Sequence, residues 1–368
     1  MTNRSLSLDT IRSAAITLVL FSHAVRFAPL PQFIHQYIAP VAGIVGVELF
    51  FALSGYLIGR ILLKTSDFPA SGHQLVIFWF RRWMRTLPVY FIVLPAGIII
   101  NILINSGNNF AYTDLIKYFS FTQNFTTPHP EFFGIAWSLA VEEWSYIIIP
   151  VVLYLTSITI KISPQKSLLF CSILLIAISI IIRFQYSAAH LSDGWDLGMR
   201  KIVIFRLDAV AYGLIAALMS SKNIRINSKT PLFLISAAAI FYWLSGAVFN
   251  KINFISVTIL PLLIGTGFAC FVLWLSSTNF FVSALTAKLI TQISLCSYSL
   301  YLIHSPLWEL TLNIFPENGS VLVKLCYFTA YIITSVICAL FMYRFIEKPV
   351  LAFRDKLSIR KENDFAKS

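Results

Sequence analysis

Long apolar runs alternate with short polar breaks along the chain. A membrane-crossing helix needs about 20 mainly apolar residues. Ten runs meet that length: roughly 8–28, 38–62, 87–105, 133–156, 167–186, 200–220, 231–249, 253–276, 289–313 and 320–346. Residues 74–86 and 113–123 are amphipathic and suit the interface or a re-entrant position. The pattern predicts an all-α, polytopic integral membrane protein of about ten transmembrane helices. Residues 1–346 form its membrane domain and 347–368 a short polar tail. The first run reads as an uncleaved anchor. No small-x-small cleavage site follows it, and cutting near Ala24 would discard Arg12 and His23.

Composition agrees with this reading. Apolar residues make up 58% and charged residues 12%, with a mean hydropathy of +0.78. An ordinary soluble domain is about 45–50% apolar and about 25% charged. A soluble enzyme, a disordered chain and a disulfide scaffold are therefore excluded. All five cysteines (Cys171, Cys270, Cys296, Cys326, Cys338) fall in predicted spans with no CxxC, as small buried hydrophobes do. No metal site is expected.

The net charge of +12 becomes informative once topology is drawn. With both termini cytoplasmic, 19 of the 28 lysines and arginines lie inside and 7 outside, with Arg12 and Arg206 within spans. That is the positive-inside asymmetry. The positive charge then faces anionic lipid, so lipid rather than nucleic acid is the expected partner.

Charges inside a bilayer are costly and mark either function or a specific pairing. Depths follow from ~1.5 Å per helical residue. His23 lies about 22 Å along the first span, Glu48 about 15 Å down the second and Glu142 about 14 Å into the fourth. Asp208 lies about 12 Å into the sixth span and His304 about 22 Å up the ninth. Five helices thus place an ionisable group near one level. Arg12 and His23, eleven residues apart, share a helix face about 16 Å from end to end. Ser138 and Glu142 share a face as i,i+4 neighbours. Arg206 and Asp208, two apart, do not, so at least one needs another partner.

The chemical reading of this set is a histidine base supported by a carboxylate. A neutral imidazole can take a proton from a hydroxyl, and a carboxylate can fix its tautomer. The plainer reading is that the charges pair to hold helices together. Arg81, Arg82 and Arg85 precede the third span. Arg82 and Arg85, three apart, point the same way and can grip phosphates; the alternative is headgroup anchoring. Arg12, deep in the first turns, needs an anion, for which Asp9 is a local candidate. Trp137, Trp195 and Trp308 fall near outer span ends, as an interfacial belt does.

These residues fall in motifs that resemble the membrane acyltransferase-3 family across nearly the whole chain. LDTIRSAAITLVLFSHA carries an Arg-x10-His pair as Arg12 and His23, and GVELFFALSGYLI resembles the second-span signature. FRRWMRTLPVY contains Arg-x2-Arg as Arg82 and Arg85, and AWSLAVEEWSYIIIP holds Ser138 and Glu142. FRLDAVAYG, SYSLYLIHSPLW and YRFIEKP complete the set. Three positions depart from the usual pattern: Thr10 for glycine, Glu48 for aspartate and Ile303 for an aromatic.

The resemblance implies transfer of an acyl group, usually acetyl from acetyl-CoA, to an acceptor hydroxyl in the bacterial inner membrane. Family acceptors include O-antigen, capsule and exopolysaccharide sugars, lipid-linked glycans, peptidoglycan, Nod factors and macrolides. Some relatives add a periplasmic domain; this chain resembles the stand-alone type. Arg12, Arg82 and Arg85 would hold the acyl-CoA phosphates. His23 would be general base, with Glu142 or Glu48 orienting it. Ser138 would bond Glu142 or the developing oxyanion, while Asp208, Arg206 and His304 would support the site or bind acceptor. The rival class is a transporter or flippase with an intramembrane proton relay, although no internal repeat is visible.

Overall fold

A computed structural model describes residues 5–64, 71–105, 115–186, 194–249, 251–278 and 281–365. The helices run in order α1 (Leu6–Ala24), α2 (Ala39–Lys64), α3 (Gly72–Asn105), α4 (Leu115–Phe119), α5 (Ala136–Leu155) and α6 (Pro164–Tyr186). They continue as α7 (Asp208–Ser221), α8 (Lys229–Leu244), α9 (Leu260–Ser276), α10 (Ala284–Ile314), α11 (Val321–Met342) and α12 (Lys348–Phe365). No strand occurs among the described residues. The bundle is all-α, and 8 of its described helices are long and apolar enough to cross a membrane. The other two expected spans, 231–249 and 289–313, coincide with α8, only 16 residues long, and with the more polar α10.

Polar and apolar groups are distributed as lipid requires. Leu103, Ile99 and Phe341 are exposed on the outside, while Glu48, Asp208, Arg183 and His304 are buried. A bundle that shows hydrocarbon outward and hides charge inward suits a solvent without hydrogen bonds.

Two sequence expectations change. Residues 74–86 are not a separate interfacial helix; they form the first part of α3, which runs for 34 residues through Pro88 and Pro95. Proline lacks only one backbone donor, so a long helix can absorb it where packing holds both sides. Segment 113–123 becomes the short α4 and a buried loop, with 113–114 outside the described residues. Gln123 and Asn124 of that loop are buried. The Asn124 side-chain amide donates to the carbonyls of Trp137 and Lys201. Past residue 346 the helical turn Tyr343–Glu347 passes into α12. Glu347 there is buried and accepts from Ser299 Oγ at 2.6 Å.

α2 is the central helix, packed between α1 and α7. Small residues permit this. A Cβ on Gly213 would lie 2.3 Å from the Ala52 carbonyl oxygen, and one on Gly55 2.0 Å from that of Val210. The two backbones touch, as in small-residue packing of membrane helices.

Candidate active site

Two chambers open into the bundle. The first, with an empty volume of about 750 Å³ including its mouth, is lined by Arg12 of α1, Arg82 and Arg85 of α3, and Ser138, Glu142 and Tyr146 of α5. Three guanidinium groups face one carboxylate, so this arginine chamber is cationic. Helical spacing places Arg82 and Arg85 on one side of α3, as expected. Arg82 lies over the Tyr146 ring, 5.0 Å from its centroid, and its Nη2 is buried without a hydrogen-bond partner. Tyr146 donates to Glu142 Oε2 at 2.7 Å and stands 2.6 Å from Ser54 Oγ. Glu142 also lies in the field of Arg82, Arg85 and Arg12.

The second chamber is larger, about 2900 Å³ with its mouth, and is lined by His23, Trp137, Trp195, Trp308, Arg200 and Glu309 among others. His23 Nδ1 stands 3.0 Å from the Val19 carbonyl and 3.1 Å from Ser22 Oγ. Donation from Nδ1 to that carbonyl leaves Nε2 as the lone-pair nitrogen, the form a base needs. The His304 ring meets His23 edge-on at 4.9 Å, and Trp308 follows at 6.0 Å. His304 binds the Leu300 carbonyl through Nδ1 at 3.1 Å, and its buried Nε2 has no partner.

The wall of this histidine chamber is polar on one side. Asp196 pairs with Arg200 at 2.6 Å and with Lys201 at 2.5 Å. Burial disfavours the Asp196 charge, but Arg200 and Lys201 outweigh it and hold the carboxyl well below its usual range. Arg200 also lies 4.7 Å over Trp137, and Asn124 fixes the backbone of both Trp137 and Lys201.

Helix α1 joins the chambers. Arg12 lines one and His23 the other, about 16 Å apart along the axis. Val47 and Tyr301 line both. The predicted residues therefore divide into two groups. Arg12, Arg82, Arg85, Ser138 and Glu142 come together around the arginine chamber; His23 and His304 meet at the other.

Glu48, Arg206 and Asp208 form neither. Arg206 donates to both Glu48 oxygens at 2.8 and 2.7 Å. Asp208 is held by Arg183, 2.9 Å away, with Tyr212 donating to the same oxygen at 3.3 Å. Arg183 further donates to the carbonyls of Phe205 and Val257. The expected carboxylate on His23 is thus replaced by a carbonyl one turn back, and Glu48 is spent on Arg206. Ser138 reaches Tyr301 rather than Glu142. Sequence reasoning missed Arg183, one of the seven lysines and arginines assigned to the outside. Its place in the unbroken apolar run SIIIRF was the available signal. Tyr301 was also missed; it stands one turn before His304 in SYSLYLIHSPLW.

Residues 5–344 match the family described as an acyltransferase domain, acyltransferase 3. The chain belongs to the acyltransferase-3 family. Curated relatives agree. It is 29% identical over 191 residues to "Putative O-acetyltransferase SACOL0978" of Staphylococcus aureus (strain COL), covering 49% of this chain and 30% of that protein. It is 28% identical over 158 residues to peptidoglycan O-acetyltransferase OatA of Listeria monocytogenes, covering 39% and 23%. It is 25% identical over 345 residues to "Putative peptidoglycan O-acetyltransferase YrhL" of Bacillus subtilis, covering 84% and 50%. The chain spans at most half the length of these relatives. No solved structure matches it. Within the acyltransferase-3 fold seen here, the family's charged motifs fall into two sites: Arg-x2-Arg at one chamber and the histidine of Arg-x10-His at the other.

Proposed function

We propose that this chain is a membrane O-acyltransferase. It moves an acyl group, acetyl by preference, from cytoplasmic acyl-CoA to a hydroxyl of a surface polysaccharide or lipid-linked glycan. The bacterial inner membrane is its location. The observation that carries this reading is the pair of chambers joined by α1, with guanidinium groups at one and an imidazole at the other. Acyl-CoA is anionic and long. Arg82, Arg85 and Arg12 suit its phosphates, and the buried, unbonded Arg82 Nη2 is a donor in want of an acceptor. The pantetheine arm is slender enough to run along α1 toward His23.

On the far side, His23 Nε2 takes the proton of the acceptor hydroxyl, and one histidine serves direct transfer. Its tautomer is held by Val19 rather than by a carboxylate. Relatives named for peptidoglycan O-acetylation favour a glycan acceptor, and Trp137, Trp195 and Trp308 offer faces on which sugars stack. The test is thiol release from acetyl-CoA by purified protein in nanodiscs, with soluble glycan strands as acceptor. The wild-type protein releases thiol, and His23→Ala does not although it reaches normal membrane levels. Full turnover by His23→Ala refutes the base assignment. A transporter would release no thiol at all.

A further inference from the structure

The donor thioester arrives from one chamber and the acceptor hydroxyl from the other, so they meet where the chambers share a wall. Among the described residues Val47 and Tyr301 line both. Val47 has no polar side-chain atom. Tyr301 is buried, 7% exposed, and its Oη lies 2.5 Å from Ser138 Oγ and 3.3 Å from the Ile135 carbonyl. Ser138 Oγ reaches the same carbonyl at 3.2 Å. Two hydroxyls thus converge on one backbone acceptor, and one of them donates to the other. Tyr301 is also one helical turn from His304, ring to ring at 5.7 Å, while His304 meets His23 at 4.9 Å. The hydroxyl and the base flank one buried imidazole.

We propose that the Tyr301 hydroxyl is a catalytic group of the transfer step. It donates a hydrogen bond to the thioester carbonyl oxygen and stabilises the oxyanion formed there, with Ser138 supporting it. This rests on the transfer reading above and names a residue which that reading does not use. His23 Nε2 removes the proton of the acceptor hydroxyl, and the oxygen bonds the acyl carbon. The carbonyl π pair moves onto the carbonyl oxygen, opposite the Tyr301 O–H. When that pair returns, the C–S bond breaks and the CoA thiolate leaves, taking the proton from His23. The products are the acyl ester and free CoA, and no other reagent is consumed. A phenol suits the task because its O–H rotates about one bond. It exchanges Ser138 or Ile135 for the oxyanion without moving the ring that forms the wall. Charge that develops only in the transition state is where such a donor counts most.

Tyr301→Phe separates this role from a packing role, because it keeps the ring and removes one oxygen. With acetyl-CoA and soluble glycan strands, kcat falls by about 10²–10³-fold, the usual loss for one oxyanion donor. KM for acetyl-CoA stays within about twofold, since the phosphate-binding arginines are untouched. Wild-type kcat in Tyr301→Phe overturns the proposal. Ser138→Ala falls less, and the double variant is no slower than Tyr301→Phe, since the two hydroxyls act as a unit. If Tyr301→Phe does not fold, 3-fluorotyrosine at 301 keeps the shape and makes the hydroxyl a better donor. Its kcat then exceeds wild type, and a kcat at or below wild type overturns the proposal. Wild-type protein that releases no thiol counts against the transfer reading itself; wild-type turnover with an undiminished Tyr301→Phe counts against the hydroxyl alone.

Discussion

Glu48→Gln separates a catalytic from a structural carboxylate. Glu48 is 3% exposed and receives two hydrogen bonds from Arg206, at 2.8 and 2.7 Å. Arg206 is 6% exposed, and its nearest other carboxylate, Asp208, stands 4.0 Å away and is already engaged by Arg183. Glutamine removes the negative charge and sets an NH2 against a guanidinium N–H, leaving the arginine buried with at most one of its two bonds. Breaking a buried pair from one side costs about 3–5 kcal/mol. Glutamine keeps one acceptor, so about 3 kcal/mol is expected, which lowers the folded-to-unfolded ratio by about 150-fold. Denaturant titration of the purified protein in mixed micelles measures this. Thiol release per folded molecule should stay at wild type. The double variant Glu48→Leu with Arg206→Met should recover most of the stability, because apolar replacements of a buried pair are often neutral or better. Wild-type stability with a collapsed kcat in Glu48→Gln would show that Glu48 acts on His23 and that the pairing with Arg206 is incidental.

Two further outcomes are expected. Arg82→Ala with Arg85→Ala should raise KM for acetyl-CoA by about a hundredfold or more, from the loss of two charge-assisted contacts at about 1.5–3 kcal/mol each, with a smaller effect on kcat; an unchanged KM returns both residues to headgroup anchoring. His129, in the loop between α4 and α5, titrates at about 4 instead of 6.5, because burial disfavours its charge beyond what the Pro130 carbonyl restores. Below pH 6.5 the unfolded chain binds a proton there that the folded chain refuses until about pH 4. Stability is therefore complete above pH 6.5 and falls by about 3 kcal/mol as pH drops to 4. His129→Asn should flatten that slope in thermal scans, and an unaltered slope would place the acid sensitivity elsewhere.

Much of this arrangement can be read along the chain, and the part that cannot has a physical reason. The shared face of Arg12 and His23 follows from helical period alone, and α1 carries it to two chambers. The side-by-side setting of Arg82 and Arg85 is equally local. Partners across helices are not local. Glu48 meets Arg206 because Gly55 and Gly213 let α2 and α7 touch, and Asp208 meets Arg183 where α6 packs on α7; no period along one helix reports either distance. The intramembrane charges therefore divide: one set pins helices, and another lines chambers. The carboxylate expected beside His23 failed for a related reason. A carbonyl four residues back on the same helix reaches Nδ1 without any second helix. Segment 74–86 looked like a surface helix because Arg81, Arg82 and Arg85 make it polar. Within that one long helix Arg82 and Arg85 line a cavity, while Arg81 is exposed.

The central claim is that donor and acceptor approach from opposite faces and meet where the two chambers share Val47 and Tyr301. Proteoliposomes of known orientation test it, with radiolabelled acetyl-CoA supplied only on the face that carries Arg82 and Arg85 and glycan strands sealed on the other. Labelled acetyl should appear on the enclosed glycan, and His23→Ala should abolish it. Labelling only when both substrates share one face would contradict the account.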